Sequence, residues 1–245
     1  MKIDIVTLFP RMVEGPLAES MIGRARARGI VDIRVVNLRD YAEGRHRVTD
    51  DAVFGGGSGM VLKPEPLFAA VEAVRTPGAR VVLMDPRGVK FDQQAAAGLA
   101  RASHLILLAG RYEGVDERVR EHLADETLSI GDYVLTGGEL PALVVTDAVV
   151  RLLPGALGGE SAADNESFAS GLLEPPQYTR PEAFRGLTVP AVLLSGDHAR
   201  IARWRRRQAL WLTWRARPDL LERAALSADD MKIVEGFERG ERPDG

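Results

Sequence analysis

The chain has 245 residues, 45% of them hydrophobic and 27% charged, as expected of a globular protein with room for one sizeable domain and a smaller one. It has no cysteine, which excludes disulfides, thiolate nucleophiles and cysteine-ligated zinc and points to a reducing compartment, the cytoplasm. A net charge of −3 argues against a uniformly basic surface, and no apolar run reaches the ~18 residues of a membrane span or forms a signal peptide in MKIDIVTLFP, so no membrane association is expected.

Taken in order, the runs IDIVTLF (3–9), VDIRVVNL (31–38), RVVLMD (80–85), HLILLAG (104–110) and ETLSI (126–130) are short, apolar and bounded by Gly, Pro or charge, which predicts buried strands. Helices are expected between them, over Leu17–Arg28 with a stop at Gly29, Glu65–Val74, Asp92–Ala102 with Asp92 as N-cap, and Glu117–Leu123. A further apolar helix is expected over Gly138–Leu153, with Pro141 tolerated in its first turn. This alternation predicts an α/β unit built on a parallel sheet.

Composition changes after Leu153. PGALGGESAADNESFASG (154–171) is small, polar and glycine-rich, and reads as a functional interdomain linker. Helical patterns follow over Ala199–Arg215, Asp219–Ala225 and Ala228–Arg239. The expected organisation is a domain over 1–158, a flexible linker over 159–172 and a smaller helical C-terminal domain over 173–245. Between His198 and Pro218 stand seven arginines and no acid, whereas Asp219–Gly245 carries eight acids against four bases.

Three loops follow proposed strands, at the edge where open parallel sheets bind ligands: MDPRG (84–88), AGRYEGVDERV (109–119) and SIGDYVLTGGELPA (129–142). Known glycine motifs do not account for them. FGGGSGM (54–60) lacks the Lys-Ser/Thr of a phosphate loop, no set matches the dinucleotide fingerprint, and GGSGM fails as a nucleophile elbow. His46, His104, His122 and His198 are too scattered for a histidine metal site and read as surface or packing residues. The remaining ligand class is an adenosyl group held by main-chain N–H and C=O groups, which glycines allow to approach closely and which needs no lysine.

RHRVTDDAVFGGGSGMVLKPEP (45–66), LLAGRYEGVDERV (107–119), SIGDYVLTGGELPALVVTDAVVRLLPG (129–155) and GLLEPPQYTRP (171–181) resemble the signature blocks of the bacterial tRNA (guanine-N1) methyltransferases of the TrmD type. The resemblance implies a trefoil-knotted α/β domain of the SPOUT class, a helical C-terminal domain, and a homodimer with its active site between subunits. Topology rules alone would have chosen an unknotted sheet. The implied reaction is methyl transfer from S-adenosylmethionine to N1 of guanosine 37, beside the tRNA anticodon, with tRNA and not DNA as the nucleic-acid partner.

On the matching positions, the resemblance puts the adenosylmethionine site at Met84, Asp85, Pro86, Gly110, Tyr112, Glu113, Ile130, Gly131, Asp132, Tyr133, Val134, Leu135, Gly137, Gly138 and Pro141. It implies Glu166 as the general base where the family has Asp before Ser-Phe, Asp164 as the fallback, and Arg151 as the group on guanine O6. His46, Asp50, Gly56 and Gly57 are implied substrate contacts, although Phe54 and Ser58 replace the family's usual tyrosine and proline. Arg203 and Arg207 are expected at tRNA phosphates, while Ile201, Trp204, Ala209 and Trp211 form an apolar stripe that reads as core. Methyl transfer from a sulfonium demands no metal; the family is associated with magnesium, but the sequence indicates no site. A phosphotransferase cradled by FGGGSGM and a non-catalytic RNA-binding module are the rival readings.

Overall fold

The computed structural model describes residues 1–57, 59–158 and 166–243. The chain divides into two compact units, Met1–Glu160 and Ser161–Gly245. In chain order the first runs β1 (Lys2–Thr7), α1 (Pro10–Ala18), α2 (Ser20–Ala27), β2 (Asp32–Asn37), β3 (Asp50–Ala52), β4 (Met60–Leu62), α3 (Pro64–Val74), β5 (Arg80–Lys90), α4 (Gln93–Leu99), β6 (His104–Ala109), α5 (Glu117–His122), β7 (Glu126–Ser129) and α6 (Glu139–Val150).

Five strands form one parallel sheet in the order β2-β1-β6-β5-β7. Leu105 and Leu107 of β6 pack with Ile3, Ile5 and Val82 in one core, which α1, α2, α4 and α6 cover. Ile106 and Leu108 point the other way and pack with Val81 and Leu83 beneath α3 and α5. With both faces covered, the central strands become continuous apolar runs, which is why they stood out in the sequence.

Three local features depart from expectation. One helix over Leu17–Arg28 becomes two: α1 runs through Pro16 to Ala18, the Glu19 N–H makes only a 3.4 Å bond to the Pro16 carbonyl, and the chain is extended at Glu19 and left-handed at Ser20 before α2 continues. Strand β5 continues through Asp85–Gly88 to Lys90, its pairing with β7 resuming at Val89 and Leu128 after a register shift. Gly88 permits this crossing, since a Cβ there would lie 2.5 Å from the Leu128 nitrogen. Strands β3 and β4, too short to read in sequence, form a hairpin with Asp50 opposite Leu62.

A charged cluster closes the amino ends of the strands. Asp4, fully buried, takes the Arg34 Nε at 2.8 Å, the Lys2 Nζ at 2.9 Å and the His104 Nε2 at 2.8 Å, while His104 Nδ1 accepts from the Thr76 hydroxyl at 2.8 Å. Burial pushes Asp4 up, but its bonds from Arg34, Lys2 and His104 outweigh this and hold it below the usual carboxylate range. Burial drives the His104 ring below its usual value against the pull of Asp4, and the Lys2 charge adds to the depression. His104 is therefore a buried, neutral partner rather than a simple packing residue.

The second unit comprises the hairpin β8 (Ala183–Phe184) and β9 (Leu187–Thr188), then α7 (Ala191–Leu194), α8 (His198–Ala216), α9 (Pro218–Leu221) and α10 (Ala228–Glu238). The helix expected over Asp219–Ala225 is thus a single turn. Leu172, Ala209, Leu210 and Phe237 form the core, and Trp211 and Trp214 stack on each other at 5.2 Å and against Phe237. Trp204 stands apart from this group, 6.4 Å from Tyr178. Ser227 and Asp230 form a reciprocal cap at the start of α10, and Asp230 also takes both Nε and Nη2 of Arg206, at 3.0 and 2.9 Å.

Candidate active site

The Met84–Arg87 stretch within β5 and the loops after β6 and β7, which are the first, second and third of the expected loops, meet at the carboxyl edge of the sheet around a cavity of about 290 Å3. The second and third loops are closed on each other by main chain. Gly138 N–H donates to the Gly110 carbonyl at 2.8 Å, and Arg111 pairs antiparallel with Gly137. A Cβ on Gly138 would sit 2.7 Å from the Ala109 Cα and 2.8 Å from the Gly110 nitrogen, so only glycine fits. Within the third loop, Ser129 Oγ donates to the Gly131 carbonyl at 3.1 Å, and a Cβ on Gly131 would strike the Tyr133 ring. Tyr112 holds a left-handed φ of 62°, an uncommon conformation for a bulky residue.

Three of the charges on the cavity wall, those of Asp85, Arg87 and Arg111, are paired. The Arg87 guanidinium and backbone N–H both bond Asp85, and Arg87 Nη1 reaches Glu117 at 3.1 Å. Burial raises the Asp85 carboxyl, but the Arg87 bonds prevail and hold it below the usual range. Arg111 Nη1 lies 3.4 Å from Oε2 of Glu139, whose Oε1 accepts from the Thr7 hydroxyl at 2.8 Å. Both cavity arginines are therefore committed to carboxylates of the protein.

The sequence model of the tRNA (Guanine-1)-methyltransferase TrmD family matches residues 1–223. The chain belongs to this family. It is 59% identical over 245 residues to a tRNA (guanine-N(1)-)-methyltransferase of Geobacter sulfurreducens, covering 99% of this chain and 100% of the relative. Relatives with the same name in Myxococcus xanthus and Moorella thermoacetica are 59% and 56% identical, with 95% and 98% of this chain and of each relative covered.

Of the residues matched to the family's cofactor site, Met84, Asp85, Pro86, Gly110, Tyr112, Glu113, Ile130, Gly131, Tyr133, Val134, Leu135, Gly137, Gly138 and Pro141 line the one cavity. Asp132 does not; its exposed carboxylate points to Lys90 at 3.8 Å. Arg151 caps the C-terminus of α6 and lines a separate groove with Pro16, Leu143 and Val144. His46, Asp50, Gly56 and Gly57 lie on the β3–β4 hairpin and the loop before it, joined to the second loop where Glu113 N–H donates to the Met60 carbonyl at 3.0 Å. Glu166 belongs to the second unit, and Asp164 lies outside the described residues. Arg203 is exposed on α8, whereas Arg207 bonds the Arg242 carbonyl at 3.0 Å and faces Glu241.

Sequence reasoning missed Arg87, Arg111 and Thr136 in the cavity wall and Glu139 behind it. The signal for Glu139 was its place in GGELP, an acid where an apolar helix enters the core. Among the described residues, no group of three or more His, Asp or Glu is placed to hold a metal ion, and no helix is long and apolar enough to cross a membrane.

Proposed function

We propose that this chain transfers the methyl group of S-adenosylmethionine to N1 of the guanosine at position 37 of tRNA, in the cytoplasm. The observation that carries this reading is the convergence of the Met84–Arg87 stretch and two glycine-containing strand-end loops on one cavity. Gly131, Gly137 and Gly138 line it at positions where a Cβ would strike the Tyr133 ring, the Glu139–Arg111 pair and the Ala109 backbone, so the loops pack closely enough to offer backbone donors and acceptors to a nucleoside. A polyphosphate is a poor match, because Arg87 and Arg111 are already neutralised.

When bound, S-adenosylmethionine supplies an electrophilic methyl group on a sulfonium. The protein's part is to orient that methyl and to manage the N1 proton. Main-chain groups of Ile130–Gly138 would hold the ligand's adenine, and Asp85 and Glu113 would border its cationic end. The carboxylate of Glu166 would take the proton that guanine N1 gives up on methylation, with Asp164 as the alternative base. The Arg151 guanidinium stabilises the negative charge that grows on guanine O6.

Arg151 lies off the cavity of its own chain, which supports a homodimer that completes the site. Met12, Leu140 and Val144 are exposed apolar side chains on α1 and α6 beside the Arg151 groove, a face suited to a second copy. We further read the first unit as knotted. Strand β7 stands at the sheet edge, yet the chain after it returns past β5 to lie against β6 at Gly138 and against β1 at Glu139. Residues 1–158 would then be the catalytic domain, 159–172 a linker and 173–245 a tRNA-binding domain, with Arg203 on phosphate and His46, Asp50, Gly56 and Gly57 near the target base. No step requires magnesium.

The test is to incubate the protein with labelled S-adenosylmethionine and tRNA transcripts carrying G or A at position 37, then digest and identify the modified base. N1-methylguanosine from the G transcript alone is expected. Label in the A transcript, or in neither, overturns the proposal.

A further inference from the structure

Glu139 is 1% exposed, and no step of the reaction uses it. Its carboxylate belongs to a closed circuit of four residues. The Phe9 N–H donates to the Thr7 hydroxyl at 2.9 Å, that hydroxyl donates to Glu139 Oε1 at 2.8 Å, and Arg111 Nη1 donates to Oε2 at 3.4 Å. The Arg111 guanidinium then lies over the Phe9 ring, 4.6 Å from its centre. The circuit links the end of β1, the loop after β6 and the start of α6.

Gly137 is the element that joins this circuit to the cavity. A Cβ there would lie 2.4 Å from Glu139 Oε2 and 2.7 Å from Arg111 Nη1, so the ion pair occupies the space a side chain would need. Arg111 and Gly137 line the cavity, whereas Glu139 does not. A buried ion pair adds little net stability, because desolvation offsets its attraction, but a buried charge left without its partner is costly. Such a pair is better suited to fixing geometry than to holding the fold together.

We propose that Glu139 is a positioning residue for the methyl-donor cavity, acting through Arg111 to hold the Gly137 wall of the third loop against the second. The inference rests on the cavity being the S-adenosylmethionine site.

The experiment compares Glu139→Gln, Arg111→Gln and the double variant by calorimetric binding of S-adenosylmethionine, by kcat and KM for both substrates, and by Tm. Glu139→Gln keeps an acceptor for Thr7 but removes the charge opposite Arg111. A tenfold or greater rise in Kd and KM for the donor is expected, with KM for tRNA within twofold of the parent. The double variant leaves no unpaired charge, so its Tm recovers relative to Glu139→Gln while donor affinity stays weak. Recovery of both Tm and donor affinity in the double variant, or donor affinity within twofold of the parent in Glu139→Gln, overturns the role. Should Glu139→Gln fail to fold, Glu139→Asp retains the charge one methylene farther from Arg111, and the same affinity criterion decides. A parent protein that does not bind the donor defeats both this role and the methyl-transfer reading; a parent that binds, with variants unaffected, defeats only the role of Glu139.

Discussion

The Gly138 N–H and the Gly110 carbonyl, 2.8 Å apart, bind two strand-end loops together through backbone alone. The Ala109 Cα and Gly110 nitrogen that crowd Gly138 cannot rotate away as a side-chain tip would. Gly138→Ala should therefore cost about 1–3 kcal/mol of stability through overpacking and abolish measurable donor binding. Gly98 in α4 is the control, because a Cβ there meets nothing within 4 Å. Gly98→Ala should leave binding intact and raise stability by about 0.4–1 kcal/mol. Thermal melts and calorimetry on the pair check both outcomes.

The Asp4–His104 pair makes stability depend on pH. His104 is depressed below 6.5 in the folded protein, so its contribution is complete above that value and is lost as the pH falls below it. Asp4, depressed below 3.8, adds a second loss at more acidic pH. The urea midpoint should fall between pH 7 and pH 5, and His104→Gln should flatten that fall. A midpoint equally steep in the variant would remove His104 as its source.

Arg87 keeps Asp85 ionised against burial. In Arg87→Met the side-chain bonds that offset burial are lost while the backbone N–H bond and the Arg120 charge remain, and the Asp85 carboxyl should titrate higher than in the parent. Carboxyl-carbon NMR titration of both proteins would detect the rise.

Two arginines on α8 should separate cleanly in solution. Arg206 is bidentate on Asp230, whereas Arg203 is exposed. Arg203→Ala should weaken tRNA binding and lower the salt dependence by about one unit of slope, with Tm unchanged. Arg206→Ala should lower Tm by leaving the Asp230 carboxylate short of its partner, while the salt slope stays that of the parent. Binding isotherms at several salt concentrations, with melts alongside, make the comparison.

The sheet was readable because a strand such as β6, buried along all six residues, is apolar in every position but His104. The three glycine-containing stretches were readable as one edge because each stands at the carboxyl end of a short apolar run. What stayed hidden depended on pairing across the chain. Glu139 and Arg111 are 28 residues apart, and nothing local marks them as partners. Pro10 and Pro16 disguised α1, although the first sits in the initial turn where its missing N–H is harmless. MDPRG looked like a turn because the chance to pair again beyond Gly88 depends on where β7 lies. What Glu166 faces was beyond local pattern for a similar reason, since it belongs to the second unit.

The β3–β4 hairpin and the second loop are one woven piece: Glu113 N–H bonds Met60, Leu62 N–H bonds Gly114, Asp116 N–H bonds Leu62, and Gly59 abuts the Glu113 side chain. A molecule whose grip displaces the hairpin would strain these bonds to the loop beneath it, and linkage would make that influence mutual. By whatever factor an occupant of the cavity alters affinity at the glycine tip, an occupant of the tip alters affinity in the cavity.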